Sequence, residues 1–271
     1  MTLPEAFRAG VHTGLRTLDL PAGESLTFDT GDEEMVVLPL SGGCTVDCDG
    51  EEFELVGRDS VFHRVSDFAY VPVASRVELT AQAGARIALP SARATRRLPA
   101  RYGAADSVPV ELRGAGAASR QVNNFCSPEA FEADRLIAVE VLTPGGNWSS
   151  YPPHKHDERT ATEVPLEEIY YFEVAGDGPA YQRVYGSRPD RPVDFCAEVR
   201  TGDLLAIPYG YHGPSMAAPG YDLYYLNVMA GPGEDRAWRF CDDPDHAWVR
   251  DMWASQQVDP RLPLTSAGGP R

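Results

Sequence analysis

Cysteine is scarce in this chain, and the few that occur follow no recognisable pattern. There are five cysteines among 271 residues, and none forms a Cys-x-x-Cys pair. An odd number without such pairs argues against a disulfide framework and against a zinc ribbon, and is typical of proteins in a reducing compartment. We therefore predict a cytoplasmic protein and interpret Cys44 and Cys48 as packing residues.

Basic residues and long hydrophobic runs are also lacking. Lys and Arg number 24 against 40 Asp and Glu, a formal net charge of -16. Such a charge repels nucleic-acid phosphates and anionic membrane surfaces, so neither is an expected partner, whereas local charges can still bind a small anion. No stretch approaches the roughly 20 apolar residues of a membrane span. Residues 1–14 contain no apolar run of the kind that a secretory signal requires.

Turn-forming residues, by contrast, are plentiful. The 25 glycines and 23 prolines are spread along the chain between short apolar segments. This spacing is typical of an all-β sandwich or barrel with few short helices. The clearest predicted strands cover residues 35–40, 44–49, 53–56, 61–65, 69–72, 76–80, 136–142, 168–174, 180–185, 193–199, 204–207 and 223–229.

The chain divides into two similar halves. Gly57-Arg-Asp-Ser-Val-Phe62 resembles Gly202-Asp-Leu-Leu-Ala-Ile-Pro208, since each places a turn before an apolar strand. We predict two copies of one barrel, in residues 1–115 and 116–271, and only the second contains a His-x-His pair. Residues 91–103 are basic and predict an exposed connector. Ser127 followed by Pro128 predicts a short helix that runs to about residue 133.

A metal site is the strongest functional prediction. His154 and His156 would share one face of a strand, because side chains alternate along it, and Glu168, Tyr170 and Phe172 would share a face of the next. With His212, three imidazoles and a carboxylate can hold a divalent transition metal and leave positions open for a substrate. Glu167 is a competing ligand, but it would face away from Glu168. The remaining histidines, His12, His63 and His246, are interpreted as ordinary polar residues.

Substrate-binding residues are less sharply indicated. Arg183 is a candidate for a carboxylate, through its forked donors, although a surface ion pair explains it equally well in an acidic protein. Tyr185 follows on the same strand. Tyrosines 209, 211, 224 and 225 lie near His212 in sequence, and most would form the wall of the barrel, with Tyr209 and Tyr224 our candidates for donors to a substrate oxygen.

Two sets of motifs resemble known families. Residues 154, 156, 168 and 212, with Gly202-x5-Pro208-x-Gly210-x-His212, resemble the cupin ligand pattern, with one residue fewer before the last histidine and a longer segment, 157–166, before the glutamate. A closer resemblance, over nearly the whole chain, is to the 5-deoxy-glucuronate isomerase family of myo-inositol catabolism. It is carried by Arg120-Gln-Val-Asn-Asn124, by residues 143–157, by Leu166-Glu-Glu-Ile-Tyr-Tyr171, by Gln182-Arg-Val-Tyr185 and by residues 219–231.

The resemblance implies a bicupin, with two jelly-roll-like β-barrels, and a metal-assisted aldose–ketose isomerisation. The substrate would be 5-deoxy-D-glucuronate and the product 5-dehydro-2-deoxy-D-gluconate. One divalent metal ion is expected, with Zn or Mn preferred. The general base is left open between Glu168, a metal-bound water and a tyrosine such as Tyr170, and so is a hydride shift. A non-catalytic sugar-acid-binding cupin and a cupin dioxygenase are the alternatives. A homo-oligomer, a dimer or larger, is left open.

Overall fold

The first eight strands form one antiparallel group. The computed structural model describes residues 2–269. Strands β1, β7, β3, β5 and β8 are neighbours in that order, and β3 also pairs with β4 and with β6, which carries β2. The long strand β3 therefore contributes to both faces of this half. The strands are β1 (Thr13–Leu20), β2 (Glu24–Asp29), β3 (Glu33–Cys48), β4 (Glu51–Arg58), β5 (Phe68–Val71), β6 (Arg76–Ala81), β7 (Ala85–Arg93) and β8 (Arg101–Gly103).

Two six-stranded sheets make up the rest. One has the order β17-β14-β19-β11-β10-β9, and the other has β16-β15-β18-β13-β20 with β12 paired to β18. The strands are β9 (Val110–Arg113), β10 (Arg120–Cys126), β11 (Ile137–Thr143), β12 (Trp148–Ser149), β13 (His154–Lys155), β14 (Glu167–Val174), β15 (Ala180–Tyr185), β16 (Asp194–Val199), β17 (Leu204–Ile207), β18 (Tyr211–Ala217), β19 (Leu223–Ala230) and β20 (Cys241–Asp242).

Helices are few and short. One α-helix, α1 (Val249–Trp253), and 3₁₀ helices at Ala105–Ser107, Gly116–Ala118 and Ala175–Asp177 occur within residues 2–269. None of these has the length and hydrophobicity that crossing a membrane requires. The all-β prediction is confirmed.

Apolar side chains form three main cores. The N-terminal core, which includes Leu26, Val46 and Leu79, fills the first half. The central core, with Leu38, Phe125 and Leu226, joins residues of both halves, and the C-terminal core, with Val139, Tyr170 and Val184, lies between the two later sheets. Alternation along β14 and β19 produces this layering, because both strands are buried on both faces. Tyr171 and Tyr224 point into the central core, whereas Tyr170 and Tyr225 point into the C-terminal core.

Three sequence expectations need comment. The strand predicted over residues 61–65 is wrong, because the His63 amide donates to the Ser60 carbonyl at 3.0 Å and closes a turn. The helix predicted from Ser127 to about residue 133 is wrong, because the chain makes a single turn there, with the amide of Phe131 donating to the Ser127 carbonyl at 3.2 Å. One turn fixes several residues for very few hydrogen bonds, and here packing of Phe131 against the central core decides the path. The division after residue 115 stays a prediction, and β9 and β10 on either side of it pair in one sheet.

The basic connector is firmly attached at its centre. β7 runs to Arg93 and β8 starts at Arg101, and between them Asp134 accepts hydrogen bonds from the amides of Thr95 (2.8 Å) and Arg96 (3.1 Å). The Arg96 guanidinium lies 2.6 Å from the same carboxylate. Burial raises the pKa of Asp134, but these hydrogen bonds outweigh it and lower the pKa to about 2. The connector is thus tied to the second half of the chain rather than free.

Asp134→Asn is expected to destabilise the protein at neutral pH and much less in acid. The folded-state pKa of about 2 lies below the unfolded value of about 3.9. The stabilisation, about 1–2 kcal/mol, is therefore complete above about pH 5 and is lost as the pH falls through 4 towards 2. Urea unfolding at several pH values from 7 to 3 measures the difference from wild type.

Asp32→Asn, which breaks an exposed pair with Arg93 in the same region, is the control. A gap for Asp134→Asn that stays constant with pH would contradict the prediction.

Candidate metal centre

Three buried side chains from two facing sheets meet at the C-terminal core. Glu168 lies on β14 in one sheet, His212 lies on β18 in the other, and His156 follows directly after β13. Their ligand atoms all lie within 4.8 Å of one another. Glu168 Oε2 is 3.1 Å from His156 Nε2 and 3.0 Å from His212 Nε2. The structure thus brings together three of the four predicted ligands.

Backbone carbonyls fix the orientation of both imidazoles. His156 Nδ1 lies 3.1 Å from the Leu166 carbonyl oxygen, and His212 Nδ1 lies 3.2 Å from that of Gly210. A carbonyl oxygen only accepts, so Nδ1 of each ring carries a proton, and Nε2 faces Glu168, either as a protonated donor to the carboxylate or, in a neutral ring, with its lone pair. Among residues 2–269, the buried Nε2 of His212 has no well-aligned hydrogen bond despite its short distance to the carboxylate. A divalent cation in place of the Nε2 protons would be faced by two Nε2 lone pairs and one carboxylate, a donor set that fits it.

His154 lies beside this cluster rather than within it. It pairs with His212 across β13 and β18, and the two ring centroids are 4.4 Å apart. The His154 ring also packs against Phe240, with centroids 4.7 Å apart. Burial, followed by the neighbouring His212 and His156, holds the pKa of His154 well below its usual range. A neutral imidazole keeps a lone pair for a ligand, so its role as a fourth metal ligand stays a prediction.

The carboxylate of Glu168 is ionised, and Tyr170 beside it is not. Burial disfavours the charged form of Glu168, but His212 and His156 outweigh burial and lower its pKa to about 2. Burial lowers the pKa of His156, and Glu168 reverses that and raises it. Burial and the Glu168 charge hold the pKa of Tyr170 well above its usual range, so its hydroxyl stays protonated. That hydroxyl lies 3.2 Å from Ser150 Oγ.

The long segment before Glu168 closes back on the cluster. The Leu166 amide donates to the His156 carbonyl at 2.8 Å. Lys155 Nζ lies 2.9 Å from both Asp157 and Glu163, side chains that are nearly or fully buried. Asp157 in turn accepts from the Gly210 amide at 2.8 Å, in the loop that orients His212. Residues 157–166 therefore connect the supports of both histidines.

The predicted substrate-binding residues are not gathered at the cluster. Arg183 pairs with Asp194 and stacks on Tyr185, whose hydroxyl donates to Asp243. On β15, Gln182 and Val184 are buried while Arg183 and Tyr185 are partly exposed, so these two point away from the C-terminal core.

The two other tyrosines predicted to bind substrate are also elsewhere. Tyr209 is a half-buried residue under the guanidinium of Arg191, which lies 4.4 Å from its ring centroid. Tyr224 points into the central core and donates to Glu140 at 2.9 Å. Its neighbour Tyr225 points towards Tyr170 instead, with ring centroids 4.9 Å apart. Glu167 faces away from the cluster, as alternation predicts, and accepts from the amides of residues 11–13.

The sheets and the buried cluster between them define an all-β protein of the cupin type. A crystal structure of oxalate decarboxylase from Lactobacillus farciminis has the same fold, with a TM-score of 0.63 at 12% identity, covering 86% of this chain and 80% of that one. The chain belongs to the KduI/IolB family, whose model matches residues 4–249. The family prediction is confirmed.

Relatives of similar length support this assignment. A 5-deoxy-glucuronate isomerase of Geobacillus kaustophilus (strain HTA426) is 42% identical over 244 residues, 89% of this chain and 86% of that protein. The 5-deoxy-glucuronate isomerase of Bacillus subtilis (strain 168) is 40% identical over 238 residues, 86% of each. A crystal structure of an IolB-like protein from Salmonella typhimurium LT2 has a TM-score of 0.83 at 37% identity, covering 88% of this chain and 90% of that one.

Proposed function

We propose that this protein is an aldose–ketose isomerase that converts 5-deoxy-D-glucuronate to 5-dehydro-2-deoxy-D-gluconate in inositol catabolism. The observation that carries the proposal is the buried His156, Glu168 and His212 cluster, in a chain about 40% identical to 5-deoxy-glucuronate isomerases over most of its length. A reducing cytoplasm is the proposed location, consistent with five cysteines that form no disulfide within residues 2–269.

We further propose that His154, His156, Glu168 and His212 hold one divalent ion, Zn or Mn. The His154 ring is close to both histidines of the cluster, with centroids 4.4 Å from His212 and 6.3 Å from His156. When bound, such an ion polarises a carbonyl and an adjacent hydroxyl. Exclusion of water by the surrounding aromatic side chains strengthens every charge interaction in the site.

The chain's own residues would move the proton. Isomerisation takes a proton from C2 and delivers it to C1, while the C1 carbonyl becomes a hydroxyl and the C2 hydroxyl becomes a carbonyl. Glu168 Oε1 has no hydrogen-bond partner within residues 2–269, so this ionised carboxylate oxygen is our candidate base. Tyr170, protonated and aimed at Ser150, is our candidate donor to the developing oxyanion.

One assay tests this function and separates it from its alternatives. Purified protein of measured metal content is incubated with 5-deoxy-D-glucuronate in deuterium oxide, and the product is followed by NMR. We expect the ketose product, loss of turnover after chelation, and recovery with Zn or Mn. Deuterium at C1 indicates proton transfer, and its absence indicates a hydride shift. Binding without conversion by metal-loaded protein would favour a non-catalytic cupin, and oxygen consumption would favour a dioxygenase.

Glu163→Gln is expected to weaken metal binding by about 10-fold, the lower end of the cost of losing a direct partner of a metal ligand, because Glu163 acts on His156 only through the loop. Glu163 holds Lys155 and accepts from the amides of Asp157 (2.7 Å) and Glu158 (3.0 Å), so it shapes the loop that orients His156. Competition with a chelator measures the dissociation constant. Glu158→Gln, which removes a more exposed partner of the same lysine at 3.2 Å, is the matched control. Equal affinities for the two variants would show that the loop does not position the ligands.

A further inference from the structure

A second group of polar side chains adjoins the metal centre. Arg120, at the start of β10, lines a narrow cavity together with His154, Ser150, Tyr225, Asn227 and Trp238. His154 and Ser150 connect this cavity to the cluster, since His154 contacts His212 and Ser150 contacts Tyr170. The free volume of this cavity is about 20 Å³, so a molecule held at the cluster would reach Arg120 only as the lining side chains move apart.

The guanidinium of Arg120 is buried without a carboxylate partner. It is 5% exposed, and within residues 2–269 it forms no salt bridge and one side-chain hydrogen bond, from Nη1 to the Ala118 carbonyl at 3.0 Å. Gly114 leaves room for it, because a Cβ there would lie 2.8 Å from Nη1. The Arg120 guanidinium also lies 5.6 Å from the centroid of the Trp253 ring. A buried cation with an aromatic face but no anionic partner is still costly.

Arg58 shows what a satisfied buried arginine looks like in the same protein. Its guanidinium binds the carboxylate of Glu140 and donates to two backbone carbonyls. Burial lowers the pKa of Arg58, but Glu140 outweighs it and the pKa is raised. Burial instead lowers the pKa of Arg120 to about 10, so it is still charged at neutral pH but lacks a compensating anion.

The neighbours of Arg120 cannot supply that anion. Arg113 faces it across the β9–β10 pair and is bound to Glu111, while Arg250 is bound to Asp242. Three arginines thus converge on one cavity of a protein with a net charge of -16. The Asn227 Oδ1 and Trp238 Nε1 atoms are also buried there and have no hydrogen-bond partner in the described part of the chain. A ligand with one anionic end and adjacent hydroxyl groups would satisfy Arg120, Asn227 and Trp238 together.

We propose that Arg120 binds the carboxylate of the sugar-acid substrate, with Asn227 and Trp238 contacting its hydroxyl groups, so that the opposite, reactive end lies at the metal centre. This inference rests on the proposed function and assigns to Arg120 the role first predicted for Arg183. A planar guanidinium with free donors matches a carboxylate in two parallel hydrogen bonds. The anion would replace the missing partner, and the polar side chains would orient the sugar chain.

Substrates with and without the carboxylate test the proposal. Kinetics are measured with 5-deoxy-D-glucuronate and with the neutral 5-deoxy-aldose that carries CH₂OH in place of its carboxylate. Arg120→Gln is expected to lower kcat/KM for the acid by roughly 10²- to 10³-fold, as for loss of one partner of a buried charge pair, and to change that for the neutral sugar little. Arg120→Lys should retain an intermediate preference for the acid. Arg200→Gln, which breaks an exposed pair with Glu198, is the control.

We call Arg120 in its proposed carboxylate-binding role the anchor. Two outcomes of the kinetics would overturn this assignment. Equal losses for acid and neutral sugar in Arg120→Gln and Arg120→Lys would mean a structural role. Loss of acid preference in Arg183→Gln, with preference kept in Arg120→Gln, would assign the carboxylate to Arg183. Metal content and thermal unfolding are recorded for each variant, and Arg120→Lys serves alone if Arg120→Gln does not fold.

A binding measurement separates failure of the anchor from failure of the isomerase. Metal-loaded protein is titrated calorimetrically with D-glucuronate, D-glucose and D-glucose 6-phosphate. Glucuronate binding that exceeds glucose binding and depends on Arg120 supports the anchor, even in a protein that isomerises nothing. Turnover of 5-deoxy-D-glucuronate with Arg120-independent binding would overturn the anchor and leave the isomerase intact. Preference for the phosphate would overturn the carboxylate assignment.

Discussion

Glu168→Gln is expected to abolish isomerase turnover, with kcat/KM lowered by roughly 10³-fold or more, as for loss of a preorganised charged group in a buried site. The amide keeps the shape of the carboxylate but removes the negative charge that lies about equally close to His156 and His212. Metal content should fall together with turnover, because a neutral amide is a much weaker ligand for a divalent ion.

Stability separates loss of the ion from loss of the fold. In metal-free Glu168→Gln protein, loss of the interactions with His156 and His212 that lower the pKa of Glu168 to about 2 should lower the unfolding free energy at neutral pH by about 1–3 kcal/mol, while the protein still folds. Added Zn or Mn should stabilise wild type by RT ln(1 + [L]/Kd) and leave the variant unchanged. Unfolding in denaturant with and without each metal measures both quantities.

Glu167→Gln is the matched control for Glu168→Gln. The neighbouring carboxylate points to the other side of β14 and holds residues 11–13, so its loss should affect stability but leave metal content and turnover in place. Full metal content and activity in Glu168→Gln would contradict the proposed ligand set.

Alternation along strands made much of the site predictable from the sequence. On β14 it placed Glu168, Tyr170 and Phe172 on one face, and both aromatic residues do lie in the C-terminal core. It also separated Glu167 from Glu168. The convergence of His156 with His212 followed from the chemistry of the residue types, because a buried His, Glu and His set rarely has another use.

The same rule fails where a strand is buried on both faces or where polar residues alternate. All residues of β19 are buried, so alternation cannot decide whether Tyr224 or Tyr225 faces the site. On β15 the sequence Gln182-Arg-Val-Tyr185 has a polar residue on each face, and Arg183 proved to point away from the core. Arg120 reaches the site only through the pairing of β9, β10 and β11, which local sequence does not specify.

Arg58→Met is expected to lower the unfolding free energy by about 3–5 kcal/mol, the usual cost of breaking a buried ion pair from one side. Arg58 ends β4 in the first half of the chain, and Glu140 lies on β11 in the second. Both side chains are 0–1% exposed. Without Arg58, the Glu140 carboxylate would keep the hydrogen bonds from Asn123 (3.0 Å) and Tyr224 (2.9 Å) but lose its only buried countercharge among residues 2–269.

A double-mutant cycle shows whether this cost belongs to the pair. Arg58→Met combined with Glu140→Met should recover much of the lost stability, because two apolar side chains leave no uncompensated charge in the central core. Arg97→Met, which breaks the exposed pair with Asp49, should cost at most about 1 kcal/mol. Additive losses in the double variant would mean that packing, rather than the stranded charge, sets the penalty. Recovery would instead show that the uncompensated charge left when one partner is removed sets the penalty.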